Sequence, residues 1–415
     1  MSSSSGSAST PQTMPPALAR RLNYAGPALF AYGFRPFFLA GAAWSAACLV
    51  LWVPQFMGHL ALRTAYTPLD WHIHEMLYGY IAAVVGGFLL TAVPNWTGRL
   101  PICGAPLMAL AAVWLLGRIA ILASAEIGLP LAALVDVAFL VVLAFVAAVE
   151  IVAGQNWRNL RVLVLIGLLI AGNIVFHVEV YLTGTADYGI RIGIGAMIML
   201  ISLVGGRIVP SFTRNWLVRQ EKGQEPGRLP VPFSRFDIAT IGFGFIALAL
   251  WVALPQNAVT GAVLIAAAIM HGARLVRWAG DRTLSDRLVL VLHVAYAFVP
   301  LGFALLGAAI LDPAVAPPSA GIHAWTAGAM GLMTLAVMTR ASLGHTGQPL
   351  IAGRGTQVVY VLALCAAVLR IAASLDSSMP LMEAAAVAWI AAFGGFVVLY
   401  GPLLTHTPPT WSART

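Results

Sequence analysis

Charge is scarce in this chain. Asp, Glu, Lys and Arg make up 9% of 415 residues, where a soluble domain carries about 25%. The hydrophobic 60% gathers into continuous runs long enough to cross a bilayer, at about 20 residues each. The alternating pattern of a membrane β-barrel is missing, so an all-α, polytopic membrane bundle is expected. Cysteine is also scarce. Cys48, Cys103 and Cys365 stand far apart, with no C-x-x-C-H for covalent haem and no cluster for zinc or iron–sulfur. Any metal must therefore rest on histidine, methionine or carboxylate. The net charge of +8 forms no basic stripe, which argues against nucleic acid and for membrane orientation. A charged-then-apolar leader with a small-residue cleavage site is lacking too. The opening MSSSSGSASTPQTMPP is small, polar and Pro-punctuated, as in a disordered tail.

Twelve spans are expected, at 34–53, 71–93, 106–124, 129–152, 160–183, 190–210, 236–254, 258–279, 286–311, 322–341, 356–375 and 383–404. Residues 1–33 are then a flexible N-terminal tail, 34–404 the membrane domain and 405–415 a C-terminal tail. Nineteen basic residues fall in the tails and the even-to-odd loops. Arg63 and Arg191 fall on the opposite side, and Arg118 and Arg370 inside spans. That alternation supports the count and places both termini in the cytoplasm.

With this orientation, His72 and His74 open the second span at its outer end, in WHIHEMLYGY (71–80). His323 opens the tenth, and His177 lies in the outer third of the fifth. Intramembrane ionisable groups are expensive and usually functional. Four histidines from three helices at one depth point to a shared site for iron or copper, which neutral imidazole ligates well. His72 and His74 are two apart, so they point about 200° from each other and cannot serve one small ion from one face. Glu75, three after His72, is expected on the same face, positioned to accept the second ring N–H of a ligating histidine. In NIVFHVEVYLTG, Asn173, His177 and Tyr181 share a face and Glu179 points elsewhere. Met330, Met333 and Met338 read as apolar filler rather than soft Cu(I) ligands. Arg118 and Asp136 are expected to pair with each other.

GFRPFFL (33–39), WHIHEMLYGY (71–80), GGFLLTAVPNWTG (86–98), GGRIVPSFTRNWL (205–217) and HAWTAGAMGLMTLAVMTRASLGHTG (323–347) resemble the NnrS family, from about Gly33 to Leu404. The resemblance implies a bacterial inner-membrane protein of about twelve helices that contains haem and copper and is linked to the nitric oxide response, often beside denitrification genes. It does not by itself carry over ligand assignments. HVEVY (177–181) is also similar to the H-P-E-V-Y copper motif of haem–copper oxidase catalytic subunits, with Val178 in place of proline. His72–His74 is similar to the pair that ligates two haems there. Asn95–Trp96 recurs as Asn215–Trp216, and His74, Gly79, Thr97 and Gly98 recur 249 residues on as His323, Gly328, Thr346 and Gly347. Helices 2, 6 and 10 therefore align loosely, four helices apart, as expected of three pseudo-symmetric four-helix arcs. The adjacent histidine pair of those oxidases is absent, since Ala324 follows His323. A three-histidine copper centre would have to recruit His293 or His59.

The function expected is a haem- and copper-binding membrane protein of nitric oxide metabolism or nitrosative-stress protection, acting on nitric oxide or its metal adducts. The haem is expected to be non-covalent, of b type, ligated among His72, His74 and His323. His177 is the candidate copper ligand, with Tyr181 and Glu75 as catalytic partners, and any electron donor must be a separate protein. The rivals are a secondary transporter, suggested by Arg118, Asp136, Glu150 and Arg370 inside spans, and a haem-binding sensor or assembly factor without turnover. His345, in SLGHTGQP near Arg340 and Arg354, falls on the cytoplasmic side, where anchoring to lipid phosphates is the expected role.

Overall fold

A computed structural model describes residues 24–220 and 227–406. Among the described residues there is no strand, and twelve helices are long and apolar enough to cross a membrane. They are α1 (Phe34–Phe56), α2 (Pro68–Thr97), α3 (Ala105–Leu122), α4 (Leu129–Ala153), α5 (Trp157–Thr183), α6 (Tyr188–Gln220), α7 (Arg235–Ala253), α8 (Ala258–Val276), α9 (Arg287–Leu311), α10 (Pro318–His345), α11 (Arg354–Asp376) and α12 (Met379–Thr405). The expected count holds. The expected tails lie mostly outside the described residues, but the N-terminal one ends earlier than its boundary at 33. Ala31 and Tyr32 are already buried, because the Tyr32 ring packs against Phe34 and His345.

α2, α6 and α10 are the longest and most enclosed. Between 78 and 83% of their central residues are buried, against at most 61% for any other helix. They extend beyond the expected spans, α6 by ten residues at its C-terminal end. Each contains a wide π-helical turn, at Glu75–Tyr80, Ile201–Gly205 and Ala324–Gly331. Such turns insert an extra residue and re-aim the side chains around them. The turns in α2 and α10 begin 249 residues apart, the spacing of the sequence repeat. The repeated Thr-Gly pairs have a local cause as well. Gly98 and Gly347 end their helices at φ +69° and +76°, the left-handed conformation of a helix C-cap. Thr97 and Thr346 each donate to the carbonyl four residues back.

Lipid offers apolar side chains no reason to leave it, so close backbone approach holds such helices together. Gly328 shows this: a Cβ there would sit 2.3 Å from the Phe298 ring of α9. α1 packs on α12, and two polar ties fasten that contact. Trp389 Nε1 donates to Ser45 Oγ at 2.9 Å, and Arg35, from the GFRPFFL motif, donates to the Leu404 carbonyl at 2.9 Å. His345 stacks among Tyr32 and Phe34 at the same end, and Arg340 lies over the Phe212 ring at 4.0 Å. These two residues take part in protein packing, not only in a lipid-facing surface.

Candidate functional site

The HIH triplet at the start of α2 serves two separate places. Their side chains diverge as the helical spacing requires, His72 toward α1 and α10, His74 toward α3, α4 and α5.

His72 lies on a cavity of about 700 Å³. Its ring stacks on Trp52 at 4.1 Å, and among the described residues it makes no hydrogen bond and its Nδ1 is buried without a partner. α10 contributes His323 to the same wall. His323 Nδ1 lies 2.7 Å from the Ser319 carbonyl. A carbonyl only accepts, so Nδ1 carries the proton and Nε2 keeps its lone pair, with no protein partner. Met76, Ile81, Ile194, Met330 and Trp389 form the apolar lining, while Arg191, its ion-pair partner Asp187 and Arg370 supply its charge. The size suits a cofactor pocket, which typically encloses about 300–1,000 Å³. Two imidazoles with unused nitrogens in apolar walls fit a planar iron macrocycle.

His74 enters a closed polar cluster. His74, Glu75, Arg118, Asp136, Asn173, His177 and Tyr66 are each no more than 5% exposed. His74 Nδ1 donates to Glu75 Oε1 at 2.9 Å. Its Nε2 faces Asn173 Oδ1 and Asp136 Oδ2, both at 3.2 Å. His177 Nε2 donates to Asp136 Oδ2 at 3.0 Å, leaving Nδ1 to accept from the Tyr66 hydroxyl at 2.7 Å. Arg118 joins the two acids, 2.7 Å from Glu75 Oε1 and in contact with Asp136 Oδ1. Trp44 Nε1 holds the other Glu75 oxygen at 2.7 Å. Gly79 leaves room for that guanidinium, since a Cβ there would stand 2.5 Å from Arg118 NH1. One ligand atom from each of His74, Asp136 and His177 lies within 4.8 Å of the other two. His74 donates its second ring N–H to a carboxylate, the arrangement that orients metal-ligating histidines; a metal on His177 Nε2 would require that ring's proton to sit on Nδ1, with the Tyr66 hydroxyl as its acceptor. A nitrogen–nitrogen–oxygen donor set suits copper(II) or zinc.

Several expectations change. Glu75 does not serve the His72 side: it opens the π-helical turn, and its carboxylate meets His74 and Arg118. The His177–Tyr181 pair does not form. Tyr181 is 63% exposed, because at the end of α5 its face has turned outward, and the hydroxyl on His177 comes from Tyr66. His59 is exposed and His293 bonds Thr213 at 2.8 Å, so neither joins the cluster; Asp136 is the third donor. Arg118 and Asp136 do pair, and Asn173 and His177 do share a face, meeting on Asp136 Oδ2. Glu179 points elsewhere, accepting from the backbone N–H groups of residues 187–189. Tyr66 was missed because it lies in the α1–α2 loop, where no periodicity gives direction. Arg191 and Arg370 carried a signal, since both break the basic-loop pattern.

Burial, reinforced by the Glu75 charge, pushes the Tyr66 phenol above its ordinary value, which keeps it a neutral donor to His177. At the opposite end of the bundle a second buried set joins Arg274 to Asp237 at 2.9 Å and His271 to Tyr296 at 2.9 Å. It braces α7, α8 and α9 and lines no part of the cavity.

A family model described as NnrS protein matches residues 28–407, which includes all twelve helices and both histidine sites. No curated protein matches the chain.

Proposed function

The chain belongs to the NnrS family, and from that premise we propose that it binds haem and copper in the bacterial inner membrane and binds or turns over nitric oxide or its metal adducts. Membership supports a membrane protein of the nitric oxide response; the two histidine sites supply the chemistry proposed here. The observation that carries the proposal is the cavity on which His72 and His323 present unused ring nitrogens. The arginine distribution supports cytoplasmic termini and sites toward the periplasmic face.

The residues divide the work. His323 is the firm haem ligand, because its Nδ1–H···O=C bond to Ser319 fixes the tautomer and ring and makes Nε2 a better donor. His72 has no such support, so it is the exchangeable partner on the cavity wall. His74 Nε2, His177 Nε2 and Asp136 Oδ2 hold copper, with Glu75 and Tyr66 orienting the two imidazoles. Haem iron supplies a position for nitric oxide, and copper a one-electron partner, when bound. A metal at His74 Nε2 would take the place of its contacts to Asn173 and Asp136, so its binding would be pH-dependent. The transporter alternative finds less support, since three of the four intramembrane charges that suggested it are paired, Arg118 with Asp136 and Glu150 with Arg99.

The test is purification in detergent, with iron and copper counted per chain and reduced-minus-oxidised spectra recorded. A Soret band that shifts on adding nitric oxide is expected. Absence of both metals after expression with both supplied sinks the proposal.

A further inference from the structure

The cavity holds an arginine, Arg370, that forms no ion pair among the described residues, since the one acid on the cavity wall, Asp187, is taken by Arg191. Three other arginines buried in the bundle are ion-paired: Arg118 with Glu75 and Asp136, Arg274 with Asp237, Arg191 with Asp187. Arg370, half-buried in α11, has one hydrogen bond, to Ser374 Oγ at 2.9 Å one turn on. Among the described residues it forms no ion pair. A guanidinium inside a membrane span is costly unless it is paired or lines a polar space. The space here is a largely apolar cavity that Arg370 shares with His72 and His323.

We infer that Arg370 is the anion anchor of this cavity, receiving a carboxylate of the bound molecule and setting its orientation. The inference rests on the haem reading and sharpens it: the ligand taken is an apolar macrocycle bearing carboxylates, with its acidic edge toward α11 and its ring among Met76, Ile81, Met330 and Trp389. The planar fork of arginine matches a carboxylate through two parallel N–H···O bonds. Arg191 is a lesser contributor, because Asp187 already holds its guanidinium. Arg370 is thus a positioning residue, and it discriminates a free acid from a neutral ester of the same shape.

The full chain, produced in cells starved of haem and purified in detergent, would be titrated with haemin and with haemin dimethyl ester, following the Soret band. Wild-type protein should bind the free acid at least about tenfold more tightly, as a charge-assisted hydrogen-bonded contact warrants. Arg370→Gln should erase that preference while keeping the affinity for the diester, and Arg370→Lys should keep part of it. Equal wild-type affinity for acid and ester overturns the inference and leaves the haem reading standing; this arm needs no variant to fold. A preference that survives in Arg370→Gln also overturns it. No binding of either compound by the wild type removes the haem reading and the anchor with it.

Discussion

The two histidine sites share one helical turn and differ in nearly everything else. The His72–His323 side is roomy and apolar, and its ring nitrogens are largely unspent. The His74–His177 side is closed, and its imidazole nitrogens all have oxygen neighbours. A cavity with idle donors leaves room for the large guest proposed above. A closed network of two acids, one arginine and two imidazoles stabilises the bundle even before any ion enters. Buried polar groups in such a network depend on one another, so losing one member leaves its partners uncompensated. The comparison teaches that spacing within HIH separates a cavity wall from a closed polar cluster.

The closed side should respond to mutation mainly in stability. Arg118→Met leaves Glu75 and Asp136 without their shared cation, and removing one partner of a buried pair typically costs about 3–5 kcal/mol. Thermal unfolding in detergent should show that loss. An unchanged midpoint would break the contrast. The open side should respond in occupancy. Loss of an outer-shell partner alone weakens metal binding about 10–100-fold, so His323→Ala should lower haem retention by at least that factor. His72→Ala should retain more haem and shift its Soret band. Equal loss in both variants would remove the division between firm and exchangeable ligand.

His177→Ala should weaken copper binding by about tenfold or more while haem per chain stays near wild type. Parallel loss of both metals would merge the two sites into one. Tyr66→Phe has the smallest expected effect, about 1 kcal/mol for one buried hydrogen bond. It also tests a pH dependence. The folded protein holds the Tyr66 proton more tightly than the unfolded chain does. Its contribution to stability is complete below the unfolded value, about 10, and is lost as pH rises from there toward the folded value. Alkaline unfolding curves should show this decline in the wild type and less of it in Tyr66→Phe.

Much of this contrast was legible beforehand. Long apolar runs gave the helices, because lipid demands internally satisfied backbone. Arginine alternation checked their number, and its exceptions landed at the sites: Arg118 in the closed cluster, Arg191 and Arg370 on the cavity. Helical spacing separated His72 from His74, joined Asn173 to His177 and foresaw the Arg118–Asp136 pair. The π-helical turn at Glu75 defeated the same arithmetic one residue later, since it shifts the turn on which ideal spacing relies. Tyr181 was misjudged because a shared helix face says nothing of whether that face turns inward at the helix end.

By itself the sequence determined the bundle, the number of its spans and the divergence of the two histidines, because bilayer thickness and helical pitch are local constraints. Only the tertiary structure decided that His323 joins His72, that Asp136 joins His74 and His177, that Tyr66 reaches in from a loop, and that Arg370 faces a cavity with no ion-pair partner among the described residues. Those meetings depend on how separate helices pack, which no single helix encodes.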